Sequence, residues 1–197
     1  MIIGIDLDNT IISYDDLWQK LATERGLPPV KSAQGKTAIR DDLRNSPGGD
    51  LEWQKIQQIA YGPRIGEATL MVGFDHFLKK CRQKGIQVYI VSHKTVGLRD
   101  AAMNWMKQRG FFAAEGFGLD PERDVFFGST REEKIKRVNQ LKCSWFIDDL
   151  KEIFQENAFP KGVGRILFSP HASDKDSVTG IHVMKTWKEI DHYLLGE

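Results

Sequence analysis

The order of apolar segments in this chain predicts an α/β fold: a Rossmann-like, mostly parallel sheet with helices on both faces, plus a small helical cap insertion. Three observations carry that expectation. Short apolar runs alternate with stretches of helical period; the runs are continuously apolar, as strands covered on both faces are; and one long connection breaks the rhythm. The runs are IIGI (2–5), QVYIV (87–91), DVFF (124–127), CSWFI (143–147), RILF (165–168) and IHVM (181–184). Between them, Phe74, Phe77, Leu78 and Cys81 keep helical spacing, with Gly85 as a stop. Leu98, Ala101, Ala102, Trp105 and Met106 form a cleaner stripe, closed by Gly110.

The long connection runs from Ile11 to about Gly73 and shows no strand pattern. Its pieces are helix-like. One is DDLWQKLATERG, with Leu17, Trp18 and Leu21 on a face. Another is DLEWQKIQQIA, with Asp50 as its expected N-cap and Ile56, Ile59 and Ala60 apolar; NSPGGD (45–50) between them is a turn by composition. A crossover needs only about a dozen residues, so roughly fifty are surplus. The expected division is an α/β core over 1–12 and 74–197, with a helical cap over 13–73.

Composition narrows the function classes. The 197 residues are 41% hydrophobic and 28% charged, which suffices for one domain with a modest insertion. A formal net charge of +1 gives no reason to expect a nucleic-acid partner. No apolar run approaches the length of a membrane span. Met1 leads straight into a strand-like run rather than a signal peptide, and Cys81 and Cys143 lack metal-ligand spacing, so a cytoplasmic location is expected.

In an open parallel sheet, ligands bind beyond the carboxyl ends of the strands. The polar residues there are Asp6, Asp8 and Thr10 after the first run, Ser92 after the second, and Asp148 and Asp149 after the fourth. Residues i and i+2 of a strand point the same way, about 6.6 Å apart, so Asp6 and Asp8 face one site. Buried carboxylates are unfavourable unless compensated. A hard divalent cation such as Mg²⁺ compensates them and in turn attracts a phosphate. The stretch STREEKIKRVNQL supplies a fixed positive charge: Thr130 and Glu133 form a capping-box pattern, and Lys134 shares a face with Val138 and Leu141. A lysine in the first turn opposes the helix dipole, which singles out Lys134 over its neighbour Lys136.

These residues resemble the haloacid dehalogenase superfamily of phosphohydrolases. DLDNT looks like its first motif, D-x-D-x-T; Ser92 resembles the second, Lys134 the third, and Asp148-Asp149 the acidic fourth, all in family order. The insertion sits where that family carries one type of cap. The resemblance implies a Mg²⁺-dependent phosphatase acting on a small phosphorylated metabolite. Asp6 would be the nucleophile and Asp8 the general acid/base. Asp6, Asp8 (through its carbonyl) and Asp148 would hold the metal, with Asp149 either a further ligand or a helix cap in a D-x-x-E pattern with Glu152. Asn9, Thr10, Ser92, His93 and Lys134 would hold the phosphoryl group. Arg40, Arg44, Tyr61 and Arg64 of the insertion are candidates for the rest of the substrate.

Other readings stay open. A phosphotransferase or phosphonatase would use the same core, and a non-catalytic phospho-ligand module would keep the fold without turnover. AQGKT (33–37) has the look of a P-loop ending, but its first glycine would fall at Val30 and no strand precedes it, so it is set aside; GVGRIL (162–167) likewise lacks the third glycine of a dinucleotide fingerprint.

Overall fold

The computed structural model describes residues 1–27, 35–45, 47–172 and 179–196. The apolar runs form one six-stranded, all-parallel sheet. Its strands are β1 (Ile2–Ile5), β4 (Gln87–His93), β5 (Val125–Gly128), β6 (Trp145–Asp148), β7 (Gly164–Phe168) and β8 (His182–Met184), in the order β5-β4-β1-β6-β7-β8. β1 lies inside the sheet, with Ile3 opposite Val88 on one side and Trp145 on the other. The chain winds outward from β1 to β4 and β5, then returns to β6 on β1's other flank. The crevice between the ends of β1 and β6 is therefore the topological switch point, where ligands bind in such sheets.

Helices cover both faces. α4 (Phe74–Gln83), α5 (Val96–Gln108) and α8 (Trp187–Leu195) bury Phe74, Phe77, Trp105 and Trp187 in one cluster with Ile3, Ile5 and Ile90. α6 (Arg131–Gln140) and α7 (Lys151–Gln155) bury Ile135, Val138, Ile153 and Phe154 in a second cluster with Val91 and Phe146. Gly4 faces the second cluster because nothing larger fits: a Cβ there would lie 2.8 Å from the Phe146 ring and 3.0 Å from Cys143 Sγ. No helix among the described residues is long and apolar enough to cross a membrane.

The connection after β1 departs from the sequence expectation in three places. It contains strand structure: β2 (Ile12–Ser13) pairs antiparallel with β3 (Thr69–Leu70), a ribbon too short to leave a periodic signal, which ties together the two ends of the insertion. It contains three helices, α1 (Asp15–Glu24), α2 (Gly35–Arg44) and α3 (Gly49–Tyr61), and α2 was not anticipated. Asp50 is not an N-cap: α3 starts one residue earlier behind Gly48 at φ +76°, and Asp50 instead accepts from Arg44 Nε at 2.6 Å. Gly49 must be glycine, since a Cβ would sit 1.7 Å from the Leu43 carbonyl oxygen, where α2 and α3 meet. Of the expected 45–50 turn, Ser46 lies outside the described residues. The insertion shares a buried core with the sheet. The Trp18 ring lies tilted 5.3 Å from that of Trp53 and meets the Tyr61 ring edge-on at 5.6 Å, and these rings join the same cluster as Ile3 and Ile5. Truncating such a buried tryptophan costs about 3–5 kcal/mol.

Candidate active site

Asp6 follows β1 directly and keeps its ladder bond, its amide donating to Ile147 O at 2.9 Å. Asp148 ends β6. Strand geometry thus delivers two carboxylates, 4% and 0% exposed, to the switch-point crevice. Lys134, 1% exposed, reaches between them from the first turn of α6, its Nζ 2.6 Å from Asp6 Oδ1 and 2.6 Å from Asp148 Oδ2. The sequence positions it there. Thr130 Oγ1 accepts from the Glu133 amide at 3.1 Å and Glu133 accepts from the Ser129 amide at 2.6 Å, which fixes where α6 starts. Lys134 then falls on the stripe shared with Ile135 and Val138, whereas Lys136 is exposed. Gly128 permits the approach: its Cβ would lie 2.9 Å from the Lys134 amide nitrogen. Burial alone would push the Lys134 ammonium down, but Asp148 and Asp6 outweigh it and hold it above the usual lysine range.

Asp149 completes the acidic group. Carboxylate oxygens of Asp6, Asp148 and Asp149 lie within 4.8 Å of one another. Burial pushes Asp148 up to about 6, against the pull of Lys134, and pushes Asp149 up to about 8, against the pull of Lys36. Asp148 and Asp149, whose ionised forms burial penalises, present with Asp6 three oxygen donors that suit a hard divalent cation, which would compensate them. The alternative role of Asp149 as a helix cap is not what forms: the α7 N-cap is Leu150 with no side-chain bond, and Asp148 Oδ1 accepts from the Leu150 amide at 3.0 Å.

The Asp8 carboxylate stands apart from that trio. It accepts from the Tyr14 hydroxyl at 2.5 Å, and Lys94 Nζ lies 2.8 Å from its Oδ2 and 3.1 Å from its Oδ1. Burial, reinforced by Asp8, pushes the Tyr14 phenol well above its ordinary range, so it remains a donor. Asn9 turns the chain at φ +60° and lines the cavity described below. Thr10 is wholly buried, and its Oγ1 has no hydrogen-bond partner among the described residues; its carbonyl accepts from Trp187 Nε1 at 3.1 Å. Ser92 is 1% exposed yet lines the cavity, and His93 beside it has Nε2 2.9 Å from Ser129 O.

Beside these groups lies a cavity of about 440 Å³. Its floor is Asp6, Asp8, Asn9, Lys134 and Asp149, and one wall is Ser92, His93, Lys94, Thr95 and Leu98. The insertion supplies the rest: Gln54, Gln57, Gln58 and Tyr61 from α3, and Lys36 from α2. The α3 residues fall at i, i+3, i+4 and i+7, a polar stripe flanking the buried Trp53, Ile56 and Ala60. Of the four insertion candidates, Tyr61 alone lines this cavity. The arginines are held outside it by ion pairs: Arg40 with Asp41 at 2.8 Å, Arg44 with Asp50 at 2.6 Å, and Arg64 with Glu24 and Glu67 at 2.5 Å.

Sequence reasoning missed Lys94, Lys36 and the glutamines. The α3 stripe was open to detection, since its polar positions repeat with helical period. Lys36 lies inside AQGKT, whose Ala33 and Gln34 fall outside the described residues; the stretch was set aside as a P-loop, and no local pattern pointed to another role. Lys94 follows Ser92 and His93 without any signal that its side chain would turn inward.

No protein-family model and no curated protein matches this chain. Solved structures do. A haloacid dehalogenase-like family hydrolase from Streptococcus pneumoniae superposes with a TM-score of 0.66 at 16% identity, over 98% of this chain and 97% of that one. A HAD-hydrolase from Bacillus subtilis, determined bound to magnesium, gives 0.59 at 15%, over 98% and 97%. The protein tyrosine kinase A of Mycobacterium tuberculosis gives 0.64 at 16%, again over 98% and 97%. At such low identity the likeness concerns architecture, and it extends over nearly the whole chain, insertion included. The chain therefore has the fold of the haloacid dehalogenase-like hydrolases.

Proposed function

We propose that this protein is a Mg²⁺-dependent phosphatase that hydrolyses a small phosphorylated metabolite through an aspartyl-phosphate on Asp6. The observation that carries the reading is the convergence of Asp6, Asp148, Asp149 and Lys134 at the switch point, with the separately held carboxylate of Asp8 lining the same cavity. Asp6 attacks phosphorus in line, its oxygen forming the new P–O bond as the bond to the leaving oxygen breaks. Asp8 gives a proton to that leaving oxygen and later takes one from the water that hydrolyses the intermediate. Tyr14 and Lys94 hold the Asp8 side chain in place for both transfers. Lys134, Ser92 and the Asn9 turn gather the phosphoryl oxygens, so catalysis is mostly positioning and electrostatics. Mg²⁺, held by the carboxylates of Asp6, Asp148 and Asp149, would supply the charge that lets an anion approach an anion. Thr10 steadies the turn through its buried backbone and Trp187. The two buried thiols suit a cytoplasmic setting.

A second reading, transfer of the phosphoryl group to an acceptor other than water, draws on the likeness to a protein named as a tyrosine kinase. One assay addresses both. Phosphate release from p-nitrophenyl phosphate is measured with Mg²⁺, with EDTA, and for Asp6→Asn. Release that is lost in both controls is the expected result. Binding of phosphate without turnover would overturn the enzyme reading, and p-nitrophenol release that outruns phosphate release once an alcohol is added would favour transfer.

A further inference from the structure

β5 is an edge of the sheet: β4 pairs with it on one side, and among the described residues no strand lies on the other. The Ile90 amide donates to the Asp124 carbonyl and the Lys94 amide to that of Gly128. Backbone groups of a strand alternate in direction, so Val125 and Phe127 turn their N–H and C=O groups away from β4. Among the described residues nothing bonds to those outward groups. Edges of this kind are ordinarily blunted by charged residues, proline or a bulge in the strand itself. The strand here is VFFG, in unbroken register with β4, and its two phenylalanines are only half-buried.

Beside this edge lies a groove with a volume of about 270 Å³. One wall is residues 126–128; the other is Glu133, Lys136, Arg137 and Gln140, which share one face of α6 at i, i+3, i+4 and i+7. The charge on the helix wall is uneven. Glu133 is engaged in the α6 cap, accepting from the Ser129 amide at 2.6 Å. Lys136 and Arg137 are exposed, and among the described residues neither has a carboxylate within 4.0 Å; the Arg137 guanidinium lies 4.5 Å from the centre of the Phe126 ring. An extended acidic segment fits both features. Main-chain hydrogen bonds to an open edge supply affinity, and alternate side chains supply specificity. Side chains of an added strand alternate between the faces of the sheet. Those on the Phe126 side meet Lys136 and Arg137, and those on the Phe127 side continue an apolar surface. A second copy of the chain fits less well, since antiparallel pairing of two β5 strands brings two basic walls together.

We infer that the β5 edge and the α6 wall beside it bind an extended segment of a partner protein, alternating acidic with apolar residues, as a further strand of the sheet. This groove shares no lining residue with the switch-point cavity, so the inference does not depend on the phosphatase reading.

The probes are fluorescein-labelled eight-residue peptides that alternate glutamate with valine, leucine or phenylalanine, the same peptides with lysine in place of glutamate, and versions N-methylated on one or the other alternate set of amides. Binding to the full chain is read by fluorescence anisotropy, and protection of the Val125 and Phe127 amides by hydrogen exchange. At least one glutamate peptide should bind with a Kd of about 100 µM or below. Two exposed ion pairs turned from attractive to repulsive correspond to about a tenfold change in affinity or more, so its lysine counterpart should bind weaker by that factor. Binding should slow exchange at Val125 and Phe127, and should be lost on methylating one set of amides but not the other. In Lys136→Glu/Arg137→Glu the charge preference should reverse. Absence of binding by every glutamate peptide, equal binding of both charges, or indifference to N-methylation overturns the inference. So does a ligand-free chain that sediments as a dimer with these two amides protected only in the dimer, which would assign the edge to a second copy.

Discussion

Replacing Lys134 with methionine tests the electrostatic centre of this protein, because it removes a charge while nearly conserving volume. In the native protein Nζ lies 2.6 Å from both Asp6 and Asp148, and all three groups are almost fully buried. Removing one partner of a buried ion pair costs about 3–5 kcal/mol, since it leaves a charge uncompensated. Here two carboxylates are left facing each other within 4.8 Å. At an effective dielectric of about 20 their repulsion is roughly 3–4 kcal/mol, which one of them relieves in part by taking up a proton. We expect a loss of about 3–4 kcal/mol near neutral pH in EDTA, or roughly 6–16 °C in melting temperature for a chain of this size. The pH dependence has a definite sign. Asp148 already titrates at about 6, above the ordinary aspartate value, because burial outweighs Lys134; without the lysine it rises further. A carboxyl raised in the folded state binds its proton more readily folded than unfolded. The unfolded state is common to both proteins, so the deficit is largest above the variant's folded pKa and disappears as pH falls below the wild type's, about 6. Mg²⁺ should restore more stability to the variant than to the wild type, since it takes over the missing compensation. Urea denaturation followed by tryptophan fluorescence, with and without Mg²⁺ between about pH 5 and 8, reads all three. A deficit under about 1 kcal/mol in EDTA, or one that does not shrink as the pH is lowered, would refute the account.

Three further outcomes follow from other parts of the site. Tyr14→Phe removes one of the two donors on Asp8 while keeping the ring packing against Trp18 and Tyr61; kcat on p-nitrophenyl phosphate should fall about tenfold or more with little change in KM, and an unchanged kcat would show that Asp8 needs no such hold. Gly128→Ala places a Cβ 2.9 Å from the Lys134 amide and 3.1 Å from the Thr130 carbonyl, so α6 must shift; urea titration should show a loss of about 1–3 kcal/mol, and activity should fall more than for an alanine at the open Gly162. Burial pushes the thiols of Cys81 and Cys143 up to about 12 and about 11. Raised thiols favour the folded state below the unfolded value and lose that contribution as pH climbs through the folded one, so at about pH 8 neither should react with iodoacetamide until urea is added, as mass spectrometry would show.

The sheet was legible in the sequence because a strand buried on both faces must be continuously apolar, and all six such runs became strands. The carboxylates were legible for a related reason: Asp6 and Asp148 interrupt apolar runs at the point where a parallel sheet presents its ligands. Lys134 could be told from Lys136 because helical period alone puts the former on the apolar stripe. These are properties of short, contiguous segments, and local stereochemistry suffices to read them. The β2–β3 ribbon, the inward turn of Lys94, the diversion of Arg40, Arg44 and Arg64 into ion pairs, and the closure of Lys36 over the cavity were not legible. Each depends on which segment from elsewhere in the chain lies alongside: Leu70 beside Ile12, Asp8 beside Lys94, Glu24 beside Arg64, Tyr61 beside Lys36. What the residues alone determined is the architecture and the acidic mouth, since backbone period and burial act within a few residues. Which charges meet across that mouth was decided by the tertiary structure, since a charge is compensated by whatever lies within a few ångströms of it, regardless of separation along the chain.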